Sequence, residues 1–199
     1  MLNVTQRISL SKKSKRLIRK LIKKENGLKS TSWNNIEKSV KHEISKKLLE
    51  KHGPRCIYCE RYFLAEKNEI DHLAHKGNYY QYTFITTNLF YACNYCNSMI
   101  KNQRNTIVGL PNKNYKLNKF YIVHPYFNNP SNELKYQDGD RIYFDWVNCS
   151  DLGKSTIKFW GWDGFIYTNL RAKIILQERL NPLTSEEEKL LIQEIIAYK

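Results

Sequence analysis

Two short cysteine pairs, CIYC at 56–59 and CNYC at 93–96, carry the clearest chemistry in the chain. One CxxC turn brings two thiolates onto one tetrahedral cation, and two such turns fill its four positions. The spacing predicts a structural zinc site built from Cys56, Cys59, Cys93 and Cys96, with no open position for water. Four reduced cysteines in a core are the alternative. Residues 60–92 separate the pairs, more than a simple zinc ribbon holds. Something folded must sit in that insert, and the metal must draw its ends together. The fifth cysteine, Cys149, reads as an ordinary buried thiol.

The insert contains EIDHLAHKG (69–77), with Asp71 and His72 adjacent. It continues into TTNLFYACNYCN (86–97), which puts Asn88 ahead of the second cysteine pair and Asn97 directly after it. Lys101 follows four residues later. The order CxxC, DH, NL, CxxCN and lysine over residues 56–101 resembles the HNH nuclease family, of ββα-metal architecture. The resemblance implies that His72 is the general base and that Asp71 and Asn97 are ligands of a catalytic divalent cation. It implies that Asn88 pins the loop holding the base. Lys101 matches a lysine found one helical turn after the ligand. Where the family carries proline three residues after the histidine, this chain has His75, which leaves open an extra ligand, a phosphate contact or a polar loop residue. Residues 76–87 are tyrosine-rich, and Tyr79, Tyr80 and Tyr82 either stack on bases or fill core.

Elementary chemistry suits those roles. Phosphodiester hydrolysis needs a base for water and a cation for charge on the phosphate and leaving oxygen. Histidine titrates near neutrality. Adjacent residues of a strand point to opposite sides, so Asp71 faces the metal while His72 faces the water. One carboxylate and one amide oxygen make a weak protein site, which fits Mg²⁺ or Mn²⁺ completed by water and substrate phosphate. Lys101 and Arg104 lie four and seven positions after Asn97, on one helical face, and with Lys76 are candidate phosphate contacts.

Several elements must hold these groups. Asp71–His72 and Asn88–Leu89 sit in strand-like runs, and 97–104 reads as a helix. Upstream, Leu10, Leu17, Ile18, Leu21 and Ile22 recur at helical spacing among Lys and Arg, so a basic amphipathic helix is expected. Trp33, Ile36, Val40, Ile44 and Leu48 predict a second helix over 33–51, ended by Gly53-Pro54. Downstream, FYIV (120–123), RIYFDWV (141–147), STIKFWGW (155–162) and FIY (165–167) read as strands between turns. Residues 169–180 read as a helix, and Ser185 with Glu188 forms a capping box for a last one. His42, His52 and His124 read as surface or capping residues. The expected fold class is α+β: a ββα-metal core with a four-cysteine zinc knuckle, N-terminal helices and a C-terminal strand and helix extension. The expected division is a basic helical region at 1–52, the core at 53–110 and the extension at 111–199.

The chain has 199 residues, 33 Lys and Arg against 19 Asp and Glu, and a net charge of +14. That excess suits a polyanion: DNA foremost, with RNA open, and a solvated lysine-rich surface as the plain alternative. Arg16 and Lys20 on the basic helix are candidate nucleic-acid contacts. No apolar run is long enough for a membrane helix and the basic N-terminus lacks an apolar stretch, so a cytoplasmic chain is expected. The segment VHPYFNNPSNELKY (123–136) and the CIYCE start resemble stand-alone HNH nucleases of Septu-type and retron-associated anti-phage defence. That likeness implies an ATPase partner, with the terminal helices as docking surfaces. Two competing readings remain: an HNH ribonuclease acting on RNA such as tRNA, and a non-catalytic, zinc-stabilised nucleic-acid-binding module.

Overall fold

The computed structural model describes residues 1–180 apart from 3, 5, 64–67 and 140. The last expected helix, with Ser185 and Glu188, lies outside these residues.

Helix α1 (Lys12–Lys24) starts at Ser11, whose Oγ accepts the Ser14 amide at 3.1 Å. Glu43 locks this cap from a distance, accepting Ser11 N at 2.7 Å and Ser11 Oγ at 2.8 Å. Ile18 and Leu21 turn inward, while Arg16 and Lys20 stay exposed on the opposite side. The expected second helix is broken. A short α2 (Ser32–Asn35) gives way to extended backbone at Ile36 and Glu37, and α3 (Lys38–His52) follows. The break has a local cause. Ser32 is buried, donates to the Glu25 carboxylate and accepts the Lys29 amide at 2.8 Å, which ties α2 to the end of α1. Val40, Ile44 and Leu48 are fully buried, and Gly53 at φ 73° ends α3 where Gly-Pro predicts it.

Strands β1 (Asn68–His72) and β2 (Leu89–Cys93) pair antiparallel, with Asn68 opposite Cys93 and His72 opposite Leu89. Residues directly opposite share a face. Ile70, Leu89 and Tyr91 therefore pack on the N-terminal helices with Val40 and Ile44. Phe90 and Ala92 pack on the other side with the cysteines, Ile157 and Trp160. Glu69 and Asp71 belong to this second face by alternation. Beyond Cys93 the chain forms a π-helix (Tyr95–Lys101), wider than the expected α-helix over 97–104. The Asn102 amide bonds to Asn97 O at 2.7 Å, and Asn102 at φ 45° turns the chain away.

The strands expected after residue 111 are corrected to mostly helix and loop. FYIV leaves one isolated pairing, Ile107 with Phe120, and RIYFDWV leaves another, Tyr136 with Phe144. A short α4 spans Pro130–Glu133. STIKFWGW falls largely in α5 (Asp151–Trp160), and FIY lies in α6 (Phe165–Leu180). The flanks of α5 decide it. Ser150 Oγ accepts the Gly153 amide at 3.0 Å, Asp151 sits in the first turn, and Gly161 at φ 65° closes the end. Gly153, Thr156, Ile157 and Trp160 then share one buried stripe at helical spacing, so tertiary burial overrides the β-like composition. The molecule is thus mixed, with helices around a small two-stranded sheet. No helix of the described residues is long and apolar enough to cross a membrane.

Candidate metal centre and adjoining cleft

The four cysteines of the two CxxC turns are buried, and their sulfurs lie within 4.8 Å of one another. Cys59 Sγ and Cys93 Sγ are 3.8 Å apart. A tetrahedral zinc at about 2.3 Å from each sulfur sets neighbouring sulfurs about 3.8 Å apart. The cluster is therefore positioned to hold a metal ion and is compatible with structural zinc. Its thiols polarise one another: hydrogen bonds from Cys56, Cys59 and Cys96 favour ionisation of Cys93. The same sharing pushes Cys59 and Cys96 upward. The surroundings are apolar, with Trp160 and Phe159 in the same core, and the Tyr167 hydroxyl lies 3.5 Å from Cys96 Sγ. Cys149 stays apart from the cluster and accepts the Lys135 amide at 3.2 Å.

A second site begins one peptide bond after Cys96. A cleft of about 160 Å³ is lined by Asp71, His72, His75, Lys76, Asn97 and neighbouring residues. β1 delivers Asp71 and His72, and the π-helix delivers Asn97 from across the sheet edge. Asp71 is 3% exposed. Its Oδ2 accepts the Tyr58 hydroxyl, and Lys101 Nζ lies 2.9 Å from its Oδ1. Lys101 is itself fully buried, with no well-directed acceptor for its ammonium. It is paired with Asp71 and does not line the cleft where a phosphate would sit.

His72 is 2% exposed. Its Nε2 lies 3.0 Å from Thr83 O. A carbonyl only accepts, so Nε2 carries the proton and Nδ1 keeps the lone pair. Burial, then the charges of Lys76 and Lys101, hold this imidazole well below its usual range, so it is neutral near pH 7. Trp33 of α2 meets it edge-on at 4.6 Å. Burial and then the charge of Lys101 likewise lower His75, whose Nδ1 accepts the Gly77 amide at 3.2 Å.

Asn88 is completely buried just before β2. Its Oδ1 accepts the Ala74 amide at 2.8 Å and the Tyr115 hydroxyl at 2.8 Å. Its Nδ2 donates to Ala74 O at 3.1 Å and Tyr82 O at 3.2 Å. One side chain thereby clamps the loop that leaves β1 with His75 and Lys76. Behind it, Tyr115 contacts His124 Nε2 at 3.1 Å, and His124 Nδ1 accepts the Tyr126 amide at 3.1 Å. His124 is fully buried and stacks on Phe127 at 4.0 Å, so of the surface or capping readings only the second has support, in its bond from the Tyr126 amide. His52 is half-buried and 2.9 Å from the Tyr126 hydroxyl, while His42 is exposed.

Other expected contacts lie elsewhere. Arg104 is directed to α5, donating to Phe159 O at 2.6 Å over that residue's ring. The turn at Asn102 carries it off the helical face that its spacing implies. Tyr79 and Tyr82 are core, and Tyr80 is exposed. Sequence spacing missed four groups: Tyr58, Glu69, Trp33 and Tyr115. Glu69 had a signal, since it lies two residues before Asp71 in a strand and must share its face. Trp33 and Tyr115 had none.

Asp71 and Asn97 are oxygen-bearing side chains of the type hard divalent cations take, and Lys101 already engages one Asp71 oxygen at 2.9 Å. Each Asp71 oxygen has one partner and two lone pairs, and Asn97 borders the same cleft. Comparison with protein-family models, with curated proteins and with solved structures finds no match.

Proposed function

We propose that this chain is a metal-dependent phosphodiesterase, and more narrowly an HNH endonuclease acting on DNA. One observation carries the reading: Asp71, His72 and Asn97, separated by up to 26 positions in sequence, border a single cleft. The four-cysteine cluster, filled by zinc in this reading, supports it by fixing where Asn97 begins.

In this reading Asp71 and Asn97 hold Mg²⁺ or Mn²⁺, which supplies charge stabilisation for the phosphate and the leaving oxygen. His72 takes the proton of the attacking water at Nδ1, because Nε2 is committed to Thr83 O. The Thr83 carbonyl keeps the ring oriented and stabilises the imidazolium that forms. Asn88 keeps the loop carrying His75 and Lys76 against β1, and Lys76 meets the phosphate at the cleft wall. The net charge of +14 and the exposed Arg16 and Lys20 favour a polyanionic substrate.

Two features favour a nuclease held in check until a partner acts, in keeping with a defence effector and an ATPase partner. Trp33 covers the base, and Lys101 already neutralises Asp71. The test is incubation with plasmid, single-stranded DNA and total RNA, with and without Mg²⁺ or Mn²⁺, beside His72→Ala. Metal-dependent cutting of DNA that the variant loses is the expected result. Cutting of RNA alone moves the substrate to the ribonuclease reading. Binding without cutting by the wild type, with Trp33→Ala also inactive, favours the zinc-stabilised binding module.

A further inference from the structure

We propose that Glu69 is a positioning residue for Asn97, holding its amide so that Oδ1, and not the NH₂ group, is presented to the cleft. This rests on the reading of Asn97 as a cation ligand. Glu69 Oε2 accepts Asn97 Nδ2 at 2.6 Å and Ser98 Oγ at 2.9 Å. Its Oε1 accepts Asn94 Nδ2 at 3.1 Å. Three donors around the start of one π-helix thus converge on one carboxylate of β1.

The consequence for Asn97 is geometric. An ionised carboxylate only accepts, so it engages an amide only through its NH₂ edge. Turning the amide over would press Oδ1 against Oε2, oxygen on oxygen. Location settles which way the free edge looks. Glu69 borders a neighbouring open groove of about 520 Å³, together with Trp33, Lys41 and Asn68, but does not border the cleft. Asn97 borders both. Its NH₂ edge is held by Glu69 on the groove side, which leaves the oxygen edge for the side of Asp71 and His72 in the proposed arrangement. Without Glu69 the two amide orientations are close in energy, and one of them aims two donors at a cation. The charged bond also draws electron density toward Oδ1 and makes it a better ligand.

The experiment measures Mn²⁺ binding by electron paramagnetic resonance on the full chain with its four-cysteine cluster metal-loaded, alongside the metal dependence of cleavage. Glu69→Ala should weaken Mn²⁺ binding on the order of 10-fold or more. The Mn²⁺ concentration for half-maximal cleavage should rise by the same factor, with the rate at saturating Mn²⁺ and the zinc content unchanged. The exchanged pair Glu69→Gln with Asn97→Asp keeps the net charge and reverses the hydrogen bond, so an oxygen faces the cleft again. It should bring binding back to within a few-fold of wild type. Unchanged Mn²⁺ affinity in Glu69→Ala, where Asn97→Ala loses it, overturns the proposal. So does a weakened Glu69→Ala that melts early and is not recovered by the exchanged pair, which makes the role structural. Mn²⁺ binding that ignores Asn97→Ala removes the ligand reading itself, and the proposal with it.

Discussion

The four-cysteine cluster and the Asp71–His72–Asn97 cleft are joined by the single peptide bond between Cys96 and Asn97, yet they are built on opposite terms. The cluster is chemically uniform, buried and walled by apolar side chains such as Ile157 and Trp160. Its four sulfurs need one another or a metal. The cleft brings together groups of unlike chemistry, each already bonded to something else: Asp71 to Tyr58 and Lys101, His72 to Thr83, Asn97 to Glu69. A site that shapes the chain requires completeness, whereas the activity proposed for the cleft requires groups that can exchange partners. The sheet lets both exist at once, because Phe90 and Ala92 hold the cluster side while Leu89 and Tyr91 hold the N-terminal helices.

Breaking the cluster should cost the most. Cys96→Ser should lose bound zinc and lower the thermal midpoint by on the order of 10 °C or more, since metal binding is folding energy here. Metal analysis and calorimetry on one sample check it, and zinc retained at full stoichiometry would count against the four-thiolate site. Breaking the cleft should cost less stability and more activity. His72→Ala should reduce cleavage by about 10² to 10⁴-fold with zinc content as in wild type, and the lost bond to Thr83 O should lower stability by only about 1–3 kcal/mol. An unchanged rate would sink the assignment of the base.

Asn88 sits between these extremes, because its contacts are structural and the loop it clamps carries His75 and Lys76 of the proposed site. Asn88→Ala strands the Ala74 amide and carbonyl, while Tyr82 O keeps the Ile85 amide and the Tyr115 hydroxyl keeps His124. Each buried orphan costs about 1–3 kcal/mol, so urea unfolding should show a loss of about 3 kcal/mol or more together with impaired cleavage. A loss of activity with full stability would make Asn88 a chemical group instead.

The smallest effect is graded with pH. Burial pushes His52 down to about 4 and His124 down to about 3, from an ordinary value of 6.5. The unfolded chain therefore takes up these protons first. Their contribution is whole above pH 6.5 and is lost as pH falls through about 4 for His52 and about 3 for His124. His124→Gln should flatten the decline of the thermal midpoint between pH 6.5 and 4. An equally steep decline would mean that other groups govern acid unfolding.

Much of this molecule was legible in residue order. Twin CxxC turns specify a closed four-thiol site wherever the chain places them, because the turn itself sets sulfur spacing. Helix α1 was readable from its apolar period, and the end of α3 from Gly53-Pro54. The strand positions of Asp71 and Leu89 followed from local pattern, and the same alternation could have placed Glu69 on the face of Asp71 but was not used. What local pattern misjudged was anything decided by a distant neighbour. STIKFWGW has β-like composition, but the core it meets demands a helical stripe. Arg104 and Lys101 share a face only if the helix after Cys96 is regular. The wide turns and the left-handed Asn102 send Arg104 to Phe159 and Lys101 inward to Asp71. His124 becomes core only because Tyr115 and Phe127 enclose it. Sequence by itself determined which groups can do chemistry, since valence and spacing are local properties. Tertiary structure alone decided which of them face one another, which are covered and which are already engaged, since those depend on contacts between residues far apart in the chain.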